Sequence, residues 1–262
     1  MPFENVEELK GASPTVQWAI LIVCILIAIL AVVSIVVSIW LSIKYVVYNK
    51  RQNSANITGS EAARKILDDN GLQHIKVSVV GSLAFGNSYS HYFKKVRLRR
   101  RTNQKASITS LAMGAEKASL AIMDKENDKD MRTRVALTPI MYLGPVAFIP
   151  LIIIGVLLDL FIFNTQGVVT LIFAGIGLLF YVLAFVLSLM VLKTEVKAQK
   201  MACEILAKEN LATSEEIDMM KDLFKLYNIE YINDMLIELL ELILKILQIV
   251  AKAQSNSSSN NN

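Results

Sequence analysis

Residues 17–43 read QWAILIVCILIAILAVVSIVVSIWLSI, and no charged residue interrupts them. A helix rises about 1.5 Å per residue, so this run crosses a hydrocarbon core of roughly 30 Å with some tilt. A cleaved secretion signal has a basic leading segment and a shorter apolar core. Here Glu4, Glu7 and Glu8 precede a longer run, so we read a retained membrane span. Two more apolar stretches follow at 139–163 and 168–192, separated only by Asn164-Thr165-Gln166-Gly167. So short a link implies an antiparallel helical hairpin. Pro145 and Pro150 should kink its first arm, which bundle neighbours can tolerate. Asp159, near the outer end of that arm, is expected at headgroup level, with a polar partner in the bundle as the alternative.

Composition agrees with a membrane protein. The chain has 262 residues, 54% apolar and 19% charged, with a formal net charge of +4 and a mean hydropathy of +0.47. Disorder over most of the chain is excluded, because it needs low hydrophobicity and high charge. Two cysteines, Cys24 and Cys203, exclude a disulfide framework and a cysteine-based zinc ribbon. There are only two histidines, His74 and His91. Charge sets the direction of insertion. Residues 44–137 carry 18 Lys/Arg against 8 Asp/Glu, whereas one Lys and three Glu precede the first span. The N-terminal segment 1–16 is therefore expected outside the cell membrane, and 44–137 and everything from Lys193 in the cytoplasm.

The stretch 229–250 is read in two ways. Its polar residues Asp234, Glu238, Glu241, Lys245 and Gln248 fall in one helical stripe, and the rest of the circumference is apolar. It is either a bundle or interfacial helix hiding that stripe, or a fourth span. The Ser/Asn-rich tail 251–262 is expected to be disordered.

Within the cytoplasmic region, 51–57 reads as a linker. Thr58 and Glu61 form a capping box that opens a helix ending at Asn70-Gly71. Residues 74–82 (HIKVSVVGS) and 92–100 (YFKKVRLRR) read as two strands, and 105–123 as a helix of small and apolar residues. DKENDKD (124–130) is a polar loop. The third span should continue as a helix through 195–210, and Thr213 and Glu216 form a second capping box opening a helix to about Tyr227. In the second strand Lys95, Arg97, Arg99 and Arg101 share one face, and Val96 and Leu98 the other. This is either a solvated edge strand protected by charge or, with Lys94 and Arg100, a surface for anionic lipid headgroups. Nucleic acid is disfavoured, because no aromatic platform accompanies the charges.

The order of the pieces carries a resemblance. ARKILDDNGL (63–72), NSYSHYFKKVRL (87–98), RTRVALTP (132–139) and TEVKAQKMACEIL (194–206), behind an N-terminal span, resemble the YugP-like zinc metallopeptidases, bacterial membrane proteins. The resemblance covers roughly residues 1–250. It implies an H-E-x-x-H helix, in which two histidines one turn apart hold zinc and the Glu activates its water. It also implies a downstream acidic third ligand. Here those positions are Ala115-Glu116-Lys117-Ala118-Ser119, with Glu195 downstream. The D-H-Y-D-P segment of the family reads Asn87-Ser88-Tyr89-Ser90-His91, keeping only the tyrosine. Ala115 and Ser119 cannot replace the histidines. Glu116, Glu195 and the displaced His91 would make an oxygen-rich site better suited to Mg²⁺ or Ca²⁺. The simpler alternative is that Glu116 and Glu195 are ordinary helix carboxylates, with Glu116 paired to Lys117 or Lys197.

Other residues carry less. Asn56-Ile57-Thr58 is a glycosylation sequon on the expected cytoplasmic side. Cys203 reads as a small core residue rather than a nucleophile. His74 has no recognisable partner, and Met219, Met220 and the apolar residues of 217–226 read as core. There is neither a glycine-rich phosphate loop nor a nucleophile elbow.

The expectation is therefore a mainly α, integral membrane protein. Three transmembrane helices, or four with 229–250, form a bundle with a cytoplasmic zincin-like α+β module at 44–137. The hairpin occupies 138–192 and further cytoplasmic helices 193–228. Both catalysis and a cofactor are expected to be lost, leaving a pseudopeptidase scaffold whose partners are the lipid bilayer, its anionic headgroups and a membrane or cytoplasmic protein. A residual metallopeptidase with an altered metal and a small transporter or channel subunit are the alternatives.

Overall fold

The computed structural model describes residues 12–80, 86–163 and 168–259. Helix α1 (Pro14–Lys50) contains the whole predicted first span. Trp18 is 64% and Ile35 61% exposed on it. Apolar side chains so exposed along a dense apolar run mark a surface for lipid or another protein. Later in the chain, α5 (Lys129–Leu158) starts at Asp128, whose side chain accepts from the amides of Asp130 and Met131 at 3.1 Å. It is one helix across Pro139, Pro145 and Pro150, and widens into a π-helical turn at Asp159–Phe163. Helix α6 (Val168–Lys208) follows and runs past the apolar stretch, as the sequence predicts. α1 and α6 are the two described helices long and apolar enough to cross a membrane. Asp130 and Arg134 near the start of α5 pair with Lys193 and Glu195 late in α6, whereas Asp159 just past α5 meets Thr170 near the start of α6, so the two helices are antiparallel. The link 164–167 lies outside the described residues. Asp159 is buried and accepts from the Thr170 hydroxyl at 3.3 Å, so it has a polar partner on α6.

Packing divides the chain into two units. One joins the α1 residues up to Ser38 to α7 (Ser214–Ser259) from Glu230 onward. Ser38 donates to Glu230 at 2.6 Å, the buried Asn233 amide donates to the Leu30 carbonyl at 3.3 Å, and Ile20 packs with Ala12 and Ala251. α7 is a single helix, where a break near Tyr227 was expected, and it extends to Ser259 into the segment expected to be disordered. No Gly or Pro follows Thr213, so nothing local stops it. Asp234, Glu238, Glu241 and Gln248 are exposed, so the polar stripe is not hidden within this unit.

The second unit spans Ile39–Ile229. Helix α2 (Gly59–Asp69) has the predicted capping box, with Glu61 N donating to Thr58 Oγ1 and Thr58 N to Glu61 Oε2, and it ends at Asn70 before Gly71 at φ +67°. Residues 51–57, expected to be a linker, are packed. Asn53 is buried and its side chain bridges Ile57 and Ser107. The predicted two-stranded element has three strands: β1 (Lys76–Val79), β2 (Ser88–Ser90) and β3 (Lys95–Leu98). β3 is central, parallel to β1 and antiparallel to β2. β2 is three residues long, too short for alternation to reveal it. The edge-strand reading of the basic segment is thus corrected. Val96 and Leu98 are buried, Lys95 and Arg97 occupy the other face, and Arg97 stacks 5.3 Å over Phe93. Arg99 directly precedes α3 (Arg100–Gln104), which holds Arg100 and Arg101, so the expected four-residue basic face stops after two.

The core of this unit gathers Ile66, Leu67, Val96, Leu98, Ile108, Leu111, Leu206, Met220 and Leu223. Cys203 joins it, and burial pushes its thiol up to about 11, in agreement with a packing role. Met220 is fully buried, as expected.

Candidate functional site

Helix α4 (Ile108–Lys125) carries Ala115–Ser119, the positions that the resemblance assigns to the metal motif. Ser107 caps it by accepting from Ser110 N at 3.1 Å. It extends two residues into the segment expected to be a loop, and Ile108–Met123 is buried throughout. Small residues permit this. A Cβ on Gly114 would run into the Gly59 backbone, so α2 and α4 meet almost backbone to backbone. α4 also packs along α6, which brings Glu195 beside it.

Glu116 is 4% and Lys117 8% exposed. Lys117 Nζ lies 2.8 Å from Glu195 Oε2 and 3.1 Å from Glu116 Oε2. Arg134, on α5, donates from Nη2 to Glu195 Oε1 at 2.6 Å and from Nη1 to Thr194 Oγ1 at 2.8 Å. Gln199 Nε2 donates to Glu116 Oε1 at 3.1 Å, and the Gln199 and Asn228 amides bond each other at 2.8 and 3.1 Å. Two carboxylates thus face two cations in one buried cluster. Burial opposes the Glu195 charge, but Lys117 and Arg134 outweigh it and bring its pKa down to about 2. Burial works against the Lys117 ammonium too, and Glu116 and Glu195 outweigh it and hold its pKa above the ordinary lysine value. Burial pushes the Glu116 carboxyl up despite Lys117 beside it. Of the two carboxyls, Glu195 is the one that the cations hold ionised more firmly.

These residues do not fit zinc. A zinc site needs neutral imidazole, thiolate or carboxylate donors converging on one point. Ala115 offers no donor, and Ser119 spends its hydroxyl on the Ala115 carbonyl at 2.9 Å. The remaining carboxylates converge on an ammonium. Among the described residues, no three His, Cys, Asp or Glu side chains group as a metal site. His91, weighed as a substitute ligand, instead pairs with Asp124, so the Glu116–Glu195–His91 site does not assemble. Of the two lysines weighed for Glu116, Lys117 is the partner, and Lys197 bonds Asp128.

Tyr89, the surviving family residue, donates to Asp124 Oδ2 at 2.6 Å, and His91 Nδ1 lies 2.8 Å from both Asp124 oxygens. Lys94 Nζ is 3.3 Å away. Burial disfavours the Asp124 carboxylate, but hydrogen bonds from Tyr89 and His91 hold its pKa below the ordinary range. Burial also raises the Tyr89 phenol. Asp124, Arg134, Gln199 and Asn228 were not singled out from sequence. Arg134 and Gln199 sit inside the segments that carry the resemblance. Asp124 lies eight residues after Glu116 on the same helix, just over two turns on and about 80° around it.

The family described as "Putative neutral zinc metallopeptidase" matches residues 23–250. The protein described as "Putative membrane protease YugP", from Bacillus subtilis (strain 168), is 27% identical over 198 residues, covering 75% of this chain and 82% of that protein. No solved structure matches this chain significantly. A match over most of its length places the chain in the neutral zinc metallopeptidase family.

Proposed function

We propose that this chain is a multi-pass membrane protein that keeps the family scaffold, has lost its zinc chemistry and serves as a binding or scaffolding protein. The observation that carries this reading is the ammonium of Lys117 between Glu116 and Glu195, on a helix with Ala115 and Ser119 at the histidine positions. Zinc peptidase chemistry needs a cation with an open coordination position, to activate water and polarise a carbonyl. An ammonium has no such position. Glu116, the corresponding general base, accepts from Lys117 and Gln199 in a buried setting. The spans in this reading are α1 and the apolar parts of α5 and α6, with the N-terminus outside and the basic module in the cytoplasm. The exposed Lys94, Arg99, Arg100 and Arg101, with Lys95 and Arg97 beside them, then face anionic headgroups.

Metal content of the detergent-purified full chain tests the reading, beside Glu116→Gln and with a peptidase assay on both. The expected result is background metal in both and no hydrolysis that depends on Glu116. Stoichiometric metal in the wild type that vanishes in Glu116→Gln, or proteolysis that the variant loses, overturns it.

A further inference from the structure

A second constellation lies around an open cavity of about 440 Å³ near the start of α5. Its floor is apolar, with Leu72, Ile75 and Ala121 buried. Its polar wall carries His74, His91, Lys94, Lys125 and Arg132, and Asp124 is the one carboxylate among the residues that line it. That carboxylate is already engaged by Tyr89, His91 and Lys94. An ionised carboxylate only accepts, so His91 Nδ1 carries the proton between them, and Nε2 is the ring nitrogen that Asp124 does not engage. Lys125 donates once, to the Asn70 carbonyl at 2.6 Å, which leaves two of its N–H groups. His74 and Arg132 are exposed, and neither side chain has a hydrogen-bond or ion-pair partner among the described residues.

Three permanent cations thus face one engaged carboxylate in a concave wall. A cleft lined by one sign of charge focuses its field and concentrates the opposite ion. Arg132 offers a planar fork that matches phosphate oxygens, and Lys94 and Lys125 add point charges on the same cavity. Val135 and Ala136 also line it, directly ahead of the apolar stretch of α5 that starts at Pro139. With α5 in a bilayer, the cavity opens at the level of the lipid headgroups.

We propose that this cavity binds a phosphate-bearing anion, with Arg132 and Lys94 as its main contacts and the His91–Asp124 pair as a fixed wall. The proposal does not depend on whether the zinc chemistry is lost. The phosphate belongs either to a lipid headgroup or to a soluble phosphate, and one titration series distinguishes them. The full chain in an uncharged detergent is titrated calorimetrically at low salt with inorganic phosphate and with a water-soluble short-chain phosphatidylglycerol. Short-chain phosphatidylcholine, which is zwitterionic, is the control. The expected result is saturable binding of at least one anion, weakened about tenfold or more by Arg132→Gln and by Lys94→Gln, unchanged by Lys208→Gln at an exposed lysine that does not line the cavity, and reduced by added salt. Inorganic phosphate binding as well as the lipid points to a soluble phosphate. Binding of the lipid alone points to a headgroup. No binding of either anion, equal binding of the zwitterionic control, or binding that Arg132→Gln leaves intact overturns the proposal. Lys94 also touches Asp124, so Arg132→Gln, which removes no structural contact, decides the matter where Lys94→Gln lowers stability.

Discussion

Replacing Lys117 with methionine keeps an apolar stem of similar length and removes the ammonium between two buried carboxylates. At an effective dielectric of about 20, attraction over the 2.8 and 3.1 Å separations is about 6 and about 5 kcal/mol. Desolvation of the ammonium offsets much of that in the wild type. In Lys117→Met, Glu195 keeps only Arg134, and Glu116 keeps only Gln199. Removing one partner of a buried pair costs about 3–5 kcal/mol, because a charge is left uncompensated. For a unit of this size that is a fall in Tm of roughly 6–20 °C. The double variant Glu116→Gln/Lys117→Met restores balance, since Arg134 still neutralises Glu195. It should recover most of the loss and fall within about 2 kcal/mol of the wild type. Thermal unfolding in detergent, followed by circular dichroism on both single variants and the double, measures the coupling. A Lys117→Met protein within about 1 kcal/mol of the wild type, or a double variant that loses the sum of the two singles, would refute this account of the cluster.

Three further outcomes are expected. Gly114→Ala places a Cβ against the Gly59 backbone, 3.0 Å from its carbonyl carbon, so α2 must move off α4 at a cost of about 1–3 kcal/mol; an unchanged denaturation midpoint would contradict that packing. Glu216→Gln removes the charge from an acceptor bonded by Ser54 N at 2.7 Å, Ser54 Oγ at 2.6 Å and Thr213 N at 2.8 Å, and should cost about 1.5–3 kcal/mol in chemical denaturation. Acid should also destabilise the protein, because Glu195, Glu216 and Asp124 have pKa values below their ordinary ones. Each binds its proton more tightly in the unfolded chain. Their stabilisation is therefore complete above the ordinary carboxylate range and lost as pH falls through the folded values, for Glu195 between 4.5 and about 2. Stability measured against pH in wild type and Glu195→Gln checks this; identical acid limbs would exclude Glu195 as a contributor.

What was legible in sequence had short range. The first span rests on one unbroken apolar run. The capping boxes at Thr58–Glu61 and Thr213–Glu216 join residues three apart, and both are present. Such signals survive because local backbone hydrogen bonds and hydropathy are set within a few residues. The readings that failed lacked a local signal. β2 is recognisable only by its pairing with β3, and the 51–57 segment only by the burial of Asn53 against Ser107.

By itself, the sequence determined that the chain is helical and apolar enough for a membrane, which family it belongs to, and that the two histidines of the metal motif are absent. Each of these is a matter of residue identity and local period. The tertiary structure alone decided what stands in their place. Lys117 and Glu195 are 78 residues apart, and His91 and Asp124 33 apart. Only the packing of α4 against α6, and of the sheet against α4, brings each pair within hydrogen-bonding distance. Charges at such separations in sequence have no preferred partner until the helices close over them, and burial then requires that each find one.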